Sequence, residues 1–275
     1  MIRTAPQWQD TEGRIFMNKI NIADAFSKGK AFIPFITCGD PNLETTKEVV
    51  YSAVEAGANL IELGIPFSDP TAEGVTIQGA NERALKGGVT TDKIFHMVEE
   101  IREKVSIPMV FMTYANVLYS YGIEKFAKKC ESVGIQGVIL PDVPYEEKEE
   151  FDSVLSVHGV DLISLIAPTS EDRITEIASE AKGFIYLVSS LGVTGVRSSI
   201  TTDIGAICKK IKSVTDVPVG VGFGISTPEQ AAKMASTADG AIVGSAIIKI
   251  IEKEGENAPK HVGEYIKSMA DAVHA

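Results

Sequence analysis

A (β/α)8 TIM barrel with an extra N-terminal helix is the fold class this sequence predicts. Three observations carry it: short β-branched runs alternate with amphipathic stretches eight times from residue 31 onward, the chain has 275 residues, and no early G-x-G-x-x-G is present. The same alternation permits an open doubly wound sheet; the count of eight and the missing glycine motif favour the barrel. Residues 1–16, which hold the only tryptophan, Trp8, lack periodicity and read as a flexible arm, leaving residues 17–275 as one catalytic domain.

The elements follow in chain order. A helix at Ile22–Lys28 precedes the first strand and is placed to plug the barrel's lower end. The run Ala31–Thr37 makes the first strand and stops at Cys38-Gly39-Asp40-Pro41, after which Leu43–Ala56 has helical spacing. Leu60–Ile65, the second strand, runs into Pro66-Phe67-Ser68-Asp69-Pro70. Helix Thr91–Lys104 leads to strand Met109–Thr113 and the turn Tyr114-Ala115-Asn116; helix Ile123–Val133 leads to strand Gly137–Pro141 and Asp142-Val143-Pro144. Helix Glu146–His158, strand Leu162–Ala167, helix Glu171–Glu180 and strand Phe184–Ser189 come next, then a loop through Gly192-Val193-Thr194-Gly195 suited to a lid. Helix Asp203–Ser213, strand Pro218–Gly222, the turn Phe223-Gly224-Ile225-Ser226, helix Thr227–Ser236 and strand Gly240–Gly244 complete the set, several helices being opened by Asp, Ser or Thr caps.

Composition narrows the function. A content of 44% hydrophobic residues allows a large core, while a net charge of −11 and a pI near 4.9 disfavour nucleic acid and anionic membrane as partners. Cys38, Cys130 and Cys208 are widely spaced, with no CxxC, as expected of buried thiols in a reducing cytosol. With no stretch near the ~20 apolar residues of a membrane span, a soluble cytoplasmic protein is expected.

In a barrel, chemistry gathers at the C-terminal strand ends. Glu62 sits there among Leu60, Ile61, Leu63 and Ile65, where an ionised carboxylate is costly and a protonated form near neutral pH is expected. Glu73 lies in a polar, glycine-bearing loop and is expected to ionise normally, so the two make an acid/base pair. The bland alternatives are an ion pair from Glu62 to a neighbouring Lys or Arg, helix capping by Glu73, and bracing of the Ser68–Pro70 turn by Asp69. Gly224 with Gly244 and Ser245, after the last two strands, reads as a phosphate cradle of backbone amides. No strand end carries a lysine for a Schiff base, and His96, His158, His261 and His274 lack metal-ligand spacing. A carbon–carbon cleavage therefore needs a substrate with its own electron sink. An isomerase or epimerase of a phosphorylated sugar shares the late-strand phosphate site but usually wants a Lys/His pair or a metal.

These residues resemble the tryptophan synthase alpha subunit family from about Ile22 to the end. The resemblance rests on Phe32-Ile33-Pro34-Phe35-Ile36-Thr37 with Gly39-Asp40-Pro41, Glu62 to Pro70, Met112 to Asn116, Gly192 to Gly195, Gly222 to Ser226 and Gly244 to Ile247. It implies a barrel that cleaves indole-3-glycerol phosphate to indole and glyceraldehyde 3-phosphate, with no metal or organic cofactor in this chain. It makes Glu62 the donor of a proton to indole C3 and Glu73 the carboxylate facing the indole N–H, although the family commonly has aspartate at the second position. Phe35, Tyr186 and Phe223 match the pocket lining, though each suits a barrel core equally well. Thr194 matches a lid residue, and Gly195, Gly224, Gly244 and Ser245 match the phosphate site. The resemblance also implies docking on a pyridoxal-phosphate beta subunit in an alpha2beta2 complex, with Asp69 and Asn116 as contacts. A stand-alone lyase and a weakly catalytic allosteric subunit remain alternatives.

Overall fold

The computed structural model describes residues 7–9, 15–17, 20–170, 173–189, 203–222 and 224–275. The first barrel strand, Ala31–Thr37, lies between the second, Ile61–Gly64, and the eighth, Gly240–Val243, all parallel, with Phe35 opposite Glu62 and Ile33 opposite Ile242. On one side the sheet continues through Met109–Met112 to Gly137–Ile139, on the other through Val219–Gly222 to Ile185–Val188. Its ends meet at the fifth strand, which is broken where the sequence suggests one run. Asp161–Leu162 pairs with the fourth strand, Ser164–Ile166 pairs with the sixth, and the Ile163 N–H between them donates to the Val138 carbonyl at 2.9 Å. Tilted barrel strands meet their two neighbours at different heights, and here one short strand closes the ring by giving its lower half to one and its upper half to the other.

The expected plug is present as a 3-10 helix, Ile22–Phe26, held by a capping box between Asn21 and Asp24. Its Ile22 side chain fills space left by glycines at the strand entries: a Cβ on Gly137 or Gly183 would stand 3.1 or 2.8 Å from Ile22 Cδ1. Phe26 packs beside Phe184, ring centroids 6.1 Å apart. In the segment read as an arm, Gln7–Gln9 pairs antiparallel with Ile15–Met17.

The outer helices begin where short polar side chains cap them. Asn42 accepts the Thr45 N–H at 2.8 Å, Asp203 accepts the Ala206 N–H at 2.9 Å, and Thr227 forms a capping box with Gln230. The region read as helix Glu146–His158 divides into a 3-10 turn, Tyr145–Glu147, and an α-helix, Glu149–Val157; that read as Glu171–Glu180 is regular only over Ile174–Ser179. Helices Val75–Lys86, Ala115–Tyr121, Ser245–Glu254 and Ala258–His274 go beyond those read from the sequence, and the last packs on helix Leu43–Glu55. Cys38, Cys130 and Cys208 are buried free thiols, as expected. No helix among the described residues is long and apolar enough to cross a membrane.

Because Ile22 fills the barrel floor, Ile22→Ala is expected to cost about 2–5 kcal/mol of unfolding free energy. Urea denaturation measures the loss, and KM should stay at the parent value because the floor lies at the end of the barrel away from the strand C-termini.

Candidate active site

Glu62 stands mid-strand, opposite Phe35 on one neighbour and Val110 on the other. Strand alternation puts Ile61 and Leu63 under the outer helices and turns Glu62 inward. The side chain is 1% exposed, and among the described residues neither carboxyl oxygen has a hydrogen-bond partner. The ion pair that would have made it structural is therefore not formed. Burial first, and the charge of Glu73 second, push its pKa up to about 8, so Glu62 carries a proton at neutral pH.

Glu73 departs from the sequence reading. It was expected to ionise normally in a polar loop, but it is 5% exposed. Burial raises its pKa, hydrogen bonds from Asn81 and Tyr114 oppose the rise, and burial prevails at about 7. Asn81 Nδ2 donates to Glu73 Oε2 at 2.7 Å, and Gln78 Nε2 donates to the Glu73 carbonyl at 2.7 Å. Nor is Glu73 a helix cap: Gly74 occupies that position in Val75–Lys86 and no side chain caps the helix. The two carboxyl groups thus share burial and differ in partners.

Asn81 was not singled out in the sequence, and Tyr114 was named there only as part of the turn Tyr114-Ala115-Asn116, not as a partner of Glu73. The buried stripe of Val75–Lys86 is Ile77, Ala80, Asn81 and Ala84, so an amide on an apolar stripe was the available signal. Tyr114 is 2% exposed, and its hydroxyl also accepts the Ala72 N–H at 3.1 Å. Two residues beyond Asn81, Arg83 grips the buried Asp40 with two bonds of 2.8 Å, Nε to Oδ1 and Nη2 to Oδ2. Its Nη1 reaches Glu252 at 3.0 Å. Helix Val75–Lys86 is thereby tied to the loop after the first strand and to helix Ser245–Glu254.

Phe35 and Tyr186 line the inner wall above the floor, each lodged against glycine. A Cβ on Gly64 would meet Phe35 Cζ at 2.6 Å, one on Gly244 would meet Phe35 Cβ at 3.3 Å, and one on Gly222 would meet Tyr186 Cζ at 2.7 Å. Tyr186 is close enough to Glu62 for that charge to raise its pKa, though burial is the larger cause. Gly224 adopts φ 78°, a conformation natural to glycine. Gly244 opens helix Ser245–Glu254 without a side-chain cap, which leaves the first-turn amides at Ser245 and Ala246 without intrahelical partners and suited to an anion. Thr194, Gly195 and Phe223 lie outside the described residues. Among the described residues no group of three His, Cys, Asp or Glu side chains is placed to hold a metal ion.

Asp69 and Asn116 are exposed. Ser68 Oγ donates to Asp69 Oδ2 at 2.5 Å, a bond between neighbouring side chains. Beneath that turn Phe67 packs on Tyr114, ring centroids 5.2 Å apart.

The family model described as tryptophan synthase alpha chain matches residues 23–274. The chain belongs to the tryptophan synthase alpha chain family. An alpha chain of Lactiplantibacillus plantarum is 50% identical over 254 residues, 92% of this chain and 96% of that one. An alpha chain of Lacticaseibacillus casei is 45% identical over the same length and the same shares. Among solved structures, a chain from the tryptophan synthase a2b2 complex of Pyrococcus furiosus superposes with a TM-score of 0.81 at 35% identity, covering 88% of this chain and 98% of that one. The tryptophan synthase alpha fold is thus shared almost from end to end.

Because the Tyr186 ring occupies the space beside Gly222, Gly222→Ala is expected to lower kcat/KM by about 10-fold or more, by displacing an aromatic that borders Glu62. Adding Tyr186→Phe, which removes the clashing hydroxyl, should recover part of that loss in a steady-state indole assay.

Proposed function

We propose that residues 17–275 form a single catalytic domain that cleaves indole-3-glycerol phosphate to indole and glyceraldehyde 3-phosphate. The observation carrying this reading is the asymmetry between two buried carboxyl groups: Glu62 without a hydrogen-bond partner among the described residues and holding its proton, Glu73 with two donors favouring its anion. Glu62 gives its proton to indole C3, and the positive charge that develops at the ring nitrogen is met by Glu73 through the N–H. The glycerol hydroxyl then returns a proton to the Glu62 carboxylate, the C3 to glycerol bond breaks, and its electron pair flows back into the ring. Indole leaves with the added hydrogen on C3, the glycerol carbon becomes the aldehyde, and Glu62 is again protonated. Phe35 and Tyr186 flank the ring, with Phe223 completing the pocket. Gly195, Gly224, Gly244 and Ser245 hold the phosphate, and Thr194 serves as the lid contact.

This chain acts with a beta subunit that carries pyridoxal phosphate, as in an alpha2beta2 complex, and Asp69 and Asn116 contribute to the docking face. The exposure of both residues and the Pyrococcus furiosus complex support the pairing. A biosynthetic role and buried free thiols suit the cytoplasm.

Turnover needs Glu73 ionised and Glu62 protonated, so kcat/KM should rise as pH passes about 7 and fall as it passes about 8. A flat profile across this range would contradict the assignment. Glu62→Gln should lower kcat about 10²–10⁴-fold while sparing affinity for a phosphate ligand. The same variant should melt at a higher temperature at pH 8. A carboxyl whose folded pKa lies above its unfolded value binds more protons when folded, so its contribution to stability falls as pH rises from about 4.5 to about 8. Glutamine removes that loss.

At position 73, Asp is expected to preserve or raise turnover and Gln to lower it about 10²-fold. Harmless replacement by Gln, in the same indole assay, would return Glu73 to a structural role.

A further inference from the structure

We infer that Tyr114 is the positioning residue through which a docked beta subunit acts on Glu73. The inference rests on the partner reading above and adds the route by which docking reaches the chemistry. Three features meet at this one side chain. Its ring packs against Phe67, in the turn whose Ser68 and Asp69 are exposed. Its backbone is the N-cap of helix Ala115–Tyr121, which carries the exposed Asn116 and is anchored from the fourth strand's end by the Asp142 carboxylate, both oxygens accepting the Ala115 N–H at 3.1 Å. Its buried hydroxyl donates to Glu73 and accepts the Ala72 N–H at 3.1 Å.

Both exposed segments therefore bear on one residue, the turn through its ring and the helix through its backbone, and the far end of that ring bears on the second carboxylate. Asn81 holds the same carboxylate from the other side, at 2.7 Å, and reaches it from helix Val75–Lys86. The two donors to Glu73 differ in what stands behind them. Behind Tyr114 are Phe67 and the Asn116 helix; behind Asn81 is a helix bolted by Arg83 to Asp40 and Glu252. Pressure or ordering at the docking face changes the first contact and leaves the second in place, which gives Glu73 a partner-dependent alignment within a fixed pocket.

The experiment compares indole release by the parent chain, Tyr114→Phe, Phe67→Leu and Asn81→Ser, each alone and at saturating beta subunit. Saturation is set by titration, and folding is checked by thermal melting. Phe67→Leu keeps the hydroxyl and removes the ring contact, so a failure of Tyr114→Phe to fold leaves the test intact. Tyr114→Phe and Phe67→Leu are expected to lose about fivefold or more of the kcat activation by the partner, with KM changed less. Asn81→Ser is expected to lose turnover by the same factor in both states and to keep the parent's activation ratio. An unchanged ratio in Tyr114→Phe or in Phe67→Leu, with the parent activated normally, overturns the inference and leaves the partner reading standing. A parent chain that gains nothing from a bound beta subunit overturns both.

Discussion

A carboxyl group placed in the barrel wall with nothing to bond among the described residues is the constraint around which this molecule is arranged. Ionised and unpartnered, Glu62 would cost several kcal/mol in a low-dielectric interior; protonated, it costs far less, and that difference is what keeps the proton on. A lysine or arginine within reach would erase the effect by stabilising the anion. The neighbours along the ladder are Phe35 and Val110, and the inward glycine at position 64 makes room for the Phe35 ring. The surrounding apolar wall is thus part of the acid itself.

The second carboxyl group shows the opposite solution to the same burial. Glu73 is nearly as enclosed, yet an amide and a phenol are aimed at it, and its proton affinity settles lower than that of Glu62. Hydrogen-bond partners rather than exposure separate the two. Glu62 also feels Glu73, whose charge helps to hold the proton on Glu62.

The eight strands and the inward-facing Glu62 were legible because they follow local rules, a run of β-branched residues and a two-residue alternation, although Glu62 stands mid-strand and not at the strand end the sequence suggested. The burial of Glu73 was not legible, because the residues that enclose it come from elsewhere in the chain. Tyr114 arrives from the third strand and Asn81 from a helix whose start, Gly74-Val75, has no side-chain cap to announce it. The break in the fifth strand escaped notice for a related reason. Nothing in Leu162–Ala167 records that the lower part of the strand bonds one neighbour and the upper part another; closure of the ring decides that. The plug helix was visible in sequence, but the glycines that admit Ile22, at positions 137 and 183, gain their meaning only once strands far apart in the chain stand side by side.

Arg83 ties helix Val75–Lys86, whose Asn81 aims Glu73, to helix Ser245–Glu254, whose first turn offers amides to an anion. Under the proposed function, the carboxylate facing the indole end and the amides facing the phosphate would thus be riveted to one frame and keep a set separation. Such a frame works as a gauge of length. On that assignment, a molecule one carbon shorter or longer between its ring and its phosphate could seat one extremity only by unseating the other, and selection among chemically similar compounds would follow from the spacing of two helices.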